Sequence, residues 1–168
     1  LESRAALARI IRAVNVDFLA LQEIENEGVL EKFNRECLNG LEYHHLWVNE
    51  RAGRTAINLA FLSRIPVEEI TVYRFDNFSL PGTDKNWSFA RDLVRVTLKP
   101  GDGRKMQVFM LHFKAMSGST ADDPNSANWR LAEAMQLHAK VATLLRNDPA
   151  AWIAVMGDVN DLPESPPF

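Results

Sequence analysis

Several short runs in this chain are apolar at every position: "FLAL" from residue 18, "LAFL" from 59, "VFML" from 108 and "WIAVM" from 152. Successive side chains of a strand point to opposite faces, so a strand apolar throughout must be covered on both. This excludes a simple antiparallel sheet with one wet face. The candidate strands are "VDFLALQE", "HHLWVN", "AINLAFLS", "VEEITVYRF", "FARDLVRVTL", "KMQVFMLHF" and "AWIAVMGD".

Amphipathic segments supply the cover. Residues 3–14 read as a helix with Leu7, Ile11 and Val14 at helical spacing, and Asn26 can cap a second with Val29, Leu30, Phe33 and Cys37 along one stripe. A third is expected over residues 127–146, with Leu131, Met135, Leu137, Val141, Leu144 and Leu145 on its apolar side. The expected fold class is α/β (α+β), with sheets sandwiched between helical layers. No repeat or interdomain linker interrupts the 168 residues, and 46% hydrophobic content suffices for the core of one domain. Residues 76–87 and 114–126 read as the long irregular connections, and long loops in a compact domain are often functional.

A formal net charge of −3 gives no general attraction to nucleic acid, so phosphate recognition would need a local basic patch or a bound cation. The single cysteine, Cys37, rules out an internal disulfide and a thiolate zinc cluster, and leaves the compartment open. No run approaches the roughly 20 apolar residues of a membrane span. The first residues resemble neither a signal nor a transit peptide, although a chain that starts at Leu1 could have lost a leader.

Polar residues cluster where apolar runs end. "WIAVM" runs into Gly157, Asp158, Asn160 and Asp161, as expected of a core strand that reaches the rim of a sheet and turns. There Asp158 and Asn160 offer hard oxygen ligands for Mg²⁺ or Mn²⁺, or an acceptor that orients water. An Asx turn is the structural alternative, but the second carboxylate makes the local charge large for one. Glu23 closes "FLALQE" at the edge of the core, where a helix cap or surface charge is the plainer reading. His112 and Lys114, two apart in "MLHFKA", share a strand face. Alternation in "FARDLVRVTL" puts Val94, Val96 and Leu98 on one face and Arg91 and Arg95 on the other, so Arg91 is either a phosphate clamp or part of a solvated face.

Taken in order, "LALQEIEN", "LAFLSRIPV", "FARDLVRV", "LHFKA", "NWRLAEA" and "VMGDVNDLP" resemble the endonuclease/exonuclease/phosphatase family, with its deoxyribonuclease I-like fold, and most of all its bacterial nuclease branch. The resemblance implies a four-layer sandwich of two packed β-sheets flanked by helices, with the site at the rim. By position, Glu23 matches the metal-binding glutamate, with Asp158 as the second metal-side carboxylate. His112 matches the histidine that assists the leaving oxygen, and Asp158 and Asn160 match the pair that orients the nucleophile and holds phosphate or metal. Arg91 matches a phosphate-contacting arginine, and Lys114 is its basic neighbour. The implied activity is Mg²⁺- or Mn²⁺-dependent phosphodiester hydrolysis, on DNA or RNA. A phospholipid or inositol phosphate substrate, or an inactive binding domain, are the alternatives. The resemblance leans toward a secreted or periplasmic setting.

Three departures from the family pattern shape the expectations. The first strand with its asparagine and the terminal Ser-Asp-His segment have no counterpart in residues 1–168, so these residues alone are expected to be inactive, with open sheet edges that favour self-association. Where related nucleases place a carboxylate to orient the histidine, this chain reads Ala56, Ile57, Asn58, and Asn58 is the candidate substitute.

Overall fold

The computed structural model describes residues 2–50, 57–101, 103–118 and 120–164. Its elements run α1 (Glu2–Val14), β1 (Phe18–Ile24), α2 (Glu27–Cys37), β2 (His45–Val48), β3 (Asn58–Ser63), β4 (Val67–Tyr73), β5 (Leu93–Leu98), β6 (Met106–His112), α3 (Ala127–Asn147) and β7 (Trp152–Asp158). A single 3₁₀ turn, Pro124–Ser126, precedes α3. The strands form two sheets, β1-β3-β2 and β4-β5-β6-β7. All pairs are antiparallel except β6 and β7, which are parallel and joined through α3, as a parallel pair requires a long crossover.

The all-apolar strands are explained by what covers each face. From β3, Leu59 and Phe61 face Val94, Val96 and Leu98 of β5 and Val108 and Met110 of β6, filling the space between the sheets. The alternate β3 residues, Ala60 and Leu62, pack with Ala8 and Ile11 of α1 and Leu30 of α2. On the far side, Phe109 and Leu111 pack with Ala132, Leu137, Val141 and Leu144 of α3. The order is helices, sheet, sheet, helix: the four-layer sandwich expected.

Particular expectations are corrected. β5 begins at Leu93, so Arg91 lies in the segment before the strand and not on its polar face. Likewise β6 ends at His112, and Lys114 lies two residues beyond it. Leu7 and Val14 of α1 are exposed, and Ala8 and Ile11 carry its buried stripe. In α3, Met135 and Leu145 are exposed, because the face toward the sheet runs through Arg130, Glu133, Leu137, Val141 and Leu144. β7 is half-exposed, with Trp152 43% and Val155 47% accessible, because it is the outer strand of its sheet among the described residues. Segment 76–87 is not a free loop: Phe78 bridges Trp87, and both are buried with Leu80. Ala56, at the start of the run "AINLAFLS", lies outside the described residues.

Candidate active site

The β6–β7 pairing delivers the first three groups. Its register aligns Leu111 with Gly157 and His112 with Asp158, so the side chains of His112 and Asp158 leave neighbouring strands side by side. His112 Nε2 lies 3.9 Å from Asp158 Oδ2. The other oxygen, Oδ1, accepts the Asn160 N–H at 2.8 Å, closing the Asx turn that reverses the chain. Asn160 takes a left-handed φ of 53°, which asparagine tolerates, and its Nδ2 donates to the Phe113 carbonyl at 3.0 Å. Arg91 Nη1 donates to that same carbonyl at 3.1 Å. One backbone oxygen thus gathers Arg91 and Asn160 beside His112.

Glu23 reaches the rim from the other sheet. The β1–β3 register slips between Leu21 and Ile24, and in that bulge Glu23 holds a φ of 59° with its side chain exposed. A left-handed glutamate costs about 1–2 kcal/mol, so the surroundings must impose it. Asn58 supplies one restraint, since its amide donates to the Ile24 and Glu25 carbonyls at 3.0 and 2.9 Å. Asn58 therefore pins the Glu23 bulge, and a carboxylate beside His112 is that of Asp158, 3.9 Å away.

The electrostatics join these groups. His112 is 4% exposed, and burial followed by the charge of Arg91 pushes its pKa below the ordinary 6.5, while Asp158 and Glu23 pull the other way. Burial and Arg91 thus favour the neutral imidazole, and a bound phosphate anion would favour the imidazolium. Lys114 Nζ donates to the Ala115 carbonyl at 2.8 Å and to the Ser117 carbonyl, and sits 5.7 Å from the Trp129 ring centre. Arg91 and Lys114 line one groove of about 390 Å³ with Asn58, Ser88, Ala90 and Trp129. The next groove shares Ser88 and Trp129 and leads to Lys85 and Asn86.

Two residues of α3, Arg130 and Glu133, carry no role in the sequence reading. Arg130 and Asp161 are a buried ion pair, Nε to Oδ2 at 2.7 Å, which ties α3 to the turn after β7. Glu133 is fully buried one turn later and accepts the backbone N–H groups of Ala90 and Lys114. The signal was available: both lie on the stripe that continues through Leu137, Val141 and Leu144, and charges at apolar-stripe positions of a helix must have buried partners. Arg130→Ala should destabilise the protein by about 3 kcal/mol, since it removes the buried cation that neutralises the Asp161 carboxylate. A shift in urea midpoint worth under about 1 kcal/mol would show that the pair is not needed.

Residues 3–167 match a family model, that of the endonuclease/exonuclease/phosphatase family. No curated protein sequence matches the chain. Among solved structures, the human Nocturnin catalytic domain with bound sulfate is similar at TM-score 0.68 and 18% identity, over 99% of this chain and 60% of that one. Truncated Caenorhabditis elegans TDP2 gives 0.67 at 21% identity, over 96% and 56%. A mutant Staphylococcus aureus beta toxin with bound magnesium ions gives 0.67 at 16%, over 99% and 60%. At these identities the likeness is one of fold. The chain spans less than two thirds of each neighbour's length.

Proposed function

This chain belongs to the endonuclease/exonuclease/phosphatase family, and on that premise we propose that it hydrolyses phosphodiester bonds of nucleic acid with a divalent cation. The carrying observation is the meeting of His112, Asp158, Asn160 and Arg91 around the Phe113 carbonyl, with Arg91 shared between this cluster and the groove that Lys114 also lines. Arg91 and Lys114 grip the phosphate. Asp158 and Asn160 orient the attacking water and the phosphoryl oxygens, and His112 protonates the leaving oxygen. The groove continues past Trp129 to Asn86 and Lys85, whose ammonium pairs with Asp122 and would exchange that partner for a phosphate, and this length favours an extended polyanion over a small phosphate ester.

Among the described residues no three His, Cys, Asp or Glu side chains gather as a ready metal cage. Magnesium does not need one, since it keeps several waters and takes one or two carboxylates plus substrate oxygens. Glu23 fits such a sparse site, exposed at its bulge and close enough to act on the charge of His112, with Asp158 as the second carboxylate. A bound Mg²⁺ or Mn²⁺ would polarise a phosphoryl oxygen and offset the acidic character of the protein. The same reading keeps self-association through the exposed outer strand β7.

The test uses the chain together with its natural flanking sequence on supercoiled DNA. Cleavage should need Mg²⁺ or Mn²⁺, stop in EDTA and return when the metal is restored. Full activity in EDTA would overturn the metal assignment, and no cleavage of DNA or RNA under any metal would overturn the nuclease reading.

A further inference from the structure

Glu133 stands behind the groove at the point where its two walls meet. Its Oε1 accepts the Ala90 N–H at 2.8 Å and its Oε2 accepts the Lys114 N–H at 2.8 Å. Ala90 adjoins Arg91 in the segment before β5, and Lys114 follows β6 two residues after His112. One carboxylate therefore fastens both phosphate-binding segments to α3. A neutral amide or acid cannot do the same, because only the ionised carboxylate presents two acceptors and no hydrogen. We propose that Glu133 is the positioning residue of the groove, whose carboxylate holds the Arg91 wall and the Lys114 wall at the separation that lets both cations meet one phosphate. The inference rests on the reading that this groove binds a phosphodiester.

A pH dependence follows from the same geometry. Burial pushes the Glu133 pKa up to about 7, against the opposing pull of the two N–H groups and of the Arg91 and Lys114 charges. Those two are the charged groups that face it, from the segments before β5 and after β6; Arg130, one turn earlier on α3, is occupied by Asp161. Arginine and lysine do not titrate near neutrality. Below about pH 7, protonated Glu133 loses an acceptor, the walls part and anion affinity falls. Protonation of His112 acts in the opposite sense, adding positive charge at low pH. The two effects are separable by their sign.

The probe is fluorescein-labelled decathymidylate, titrated in EDTA by anisotropy against the wild-type chain, Glu133→Gln and Arg91→Ala at pH 6 and pH 8. Wild-type affinity should be roughly fivefold or more higher at pH 8, the low end for coupled equilibria. Glu133→Gln should lose the gain at pH 8 and bind no more tightly there than at pH 6. A folded Glu133→Gln that keeps the wild-type pH dependence, or that binds as tightly as the wild type at pH 8, overturns the proposal. Failure of the phosphodiester reading looks different: the wild type then binds nothing at either pH, or Arg91→Ala binds as tightly as the wild type.

Discussion

Replacing His112 by alanine should slow phosphodiester cleavage by roughly 100-fold or more, the usual worth of a positioned general acid. The imidazole is buried at the end of β6 and its Nε2 faces the Asp158 carboxylate at 3.9 Å. No other described histidine shares this end of the sheet: His45 opens β2, His138 lies on α3, and His44 pairs with Glu42. Asp158→Ala should cost as much. The double variant should be little worse than either single one, because groups that serve the same step are not additive. The free-enzyme acid is also marked by its titration. If the imidazolium is the working form and folding lowers its pKa below 6.5, kcat/KM should fall with rising pH from a midpoint under 6.5, and His112→Ala should erase that limb. Variants are compared after thermal melting, since an unfolded protein imitates lost chemistry. A well-folded His112→Ala that retains wild-type kcat/KM would remove His112 from the mechanism.

The two pH effects oppose one another. The neutral state of His112 weakens proton donation as pH rises, while the ionised state of Glu133 above about pH 7 tightens the groove. Turnover that needs both is therefore greatest on the acid side of neutrality, between the lowered His112 pKa and about 7, where neither requirement is fully met. The cause is one shared environment: Arg91 lowers the His112 pKa and opposes the rise at Glu133.

What the sequence made legible follows from what each signal measures. Strand periodicity is local, so the inter-sheet face of Val94, Val96 and Leu98 could be read directly, and the structure packs it against Leu59 and Phe61. The same local signal misplaced Arg91, because alternation continues on paper past the residue where hydrogen bonding to β4 stops, at Leu93. The apolar content of β7 suggested burial on both faces, yet composition records what a strand can tolerate and not which neighbour lies beside it. The site was legible at His112, Asp158 and Asn160, where polar residues interrupt apolar runs at strand ends. Glu133 and Arg130 were not singled out because their partners are backbone groups and a distant aspartate, contacts that span 16 residues or more except for Asn125. The Glu23 bulge is a register slip, which no residue in "FLALQE" announces.

Gly157→Ala should destabilise the protein by about 3 kcal/mol or more, or prevent β7 from docking at all. Gly157 has a φ of 144°, a conformation that L side chains rarely adopt. A Cβ built there would sit 2.0 Å from the Leu111 carbonyl oxygen and 3.0 Å from the Leu111 nitrogen. Those atoms belong to the backbone of β6, its own pairing partner, so no side-chain rotation can relieve the clash. The strand must move, and it carries Asp158 in the next position. Damage should therefore appear twice, as a lower urea midpoint and as loss of the 3.9 Å approach between His112 and Asp158. Gly82→Ala is the control for backbone strain alone: its φ is 81°, but a Cβ there meets nothing within 4 Å, so its cost should stay near 1 kcal/mol. If the two variants lose equal stability, the close contact between Gly157 and Leu111 is not what holds β7 and its candidate site residues against β6.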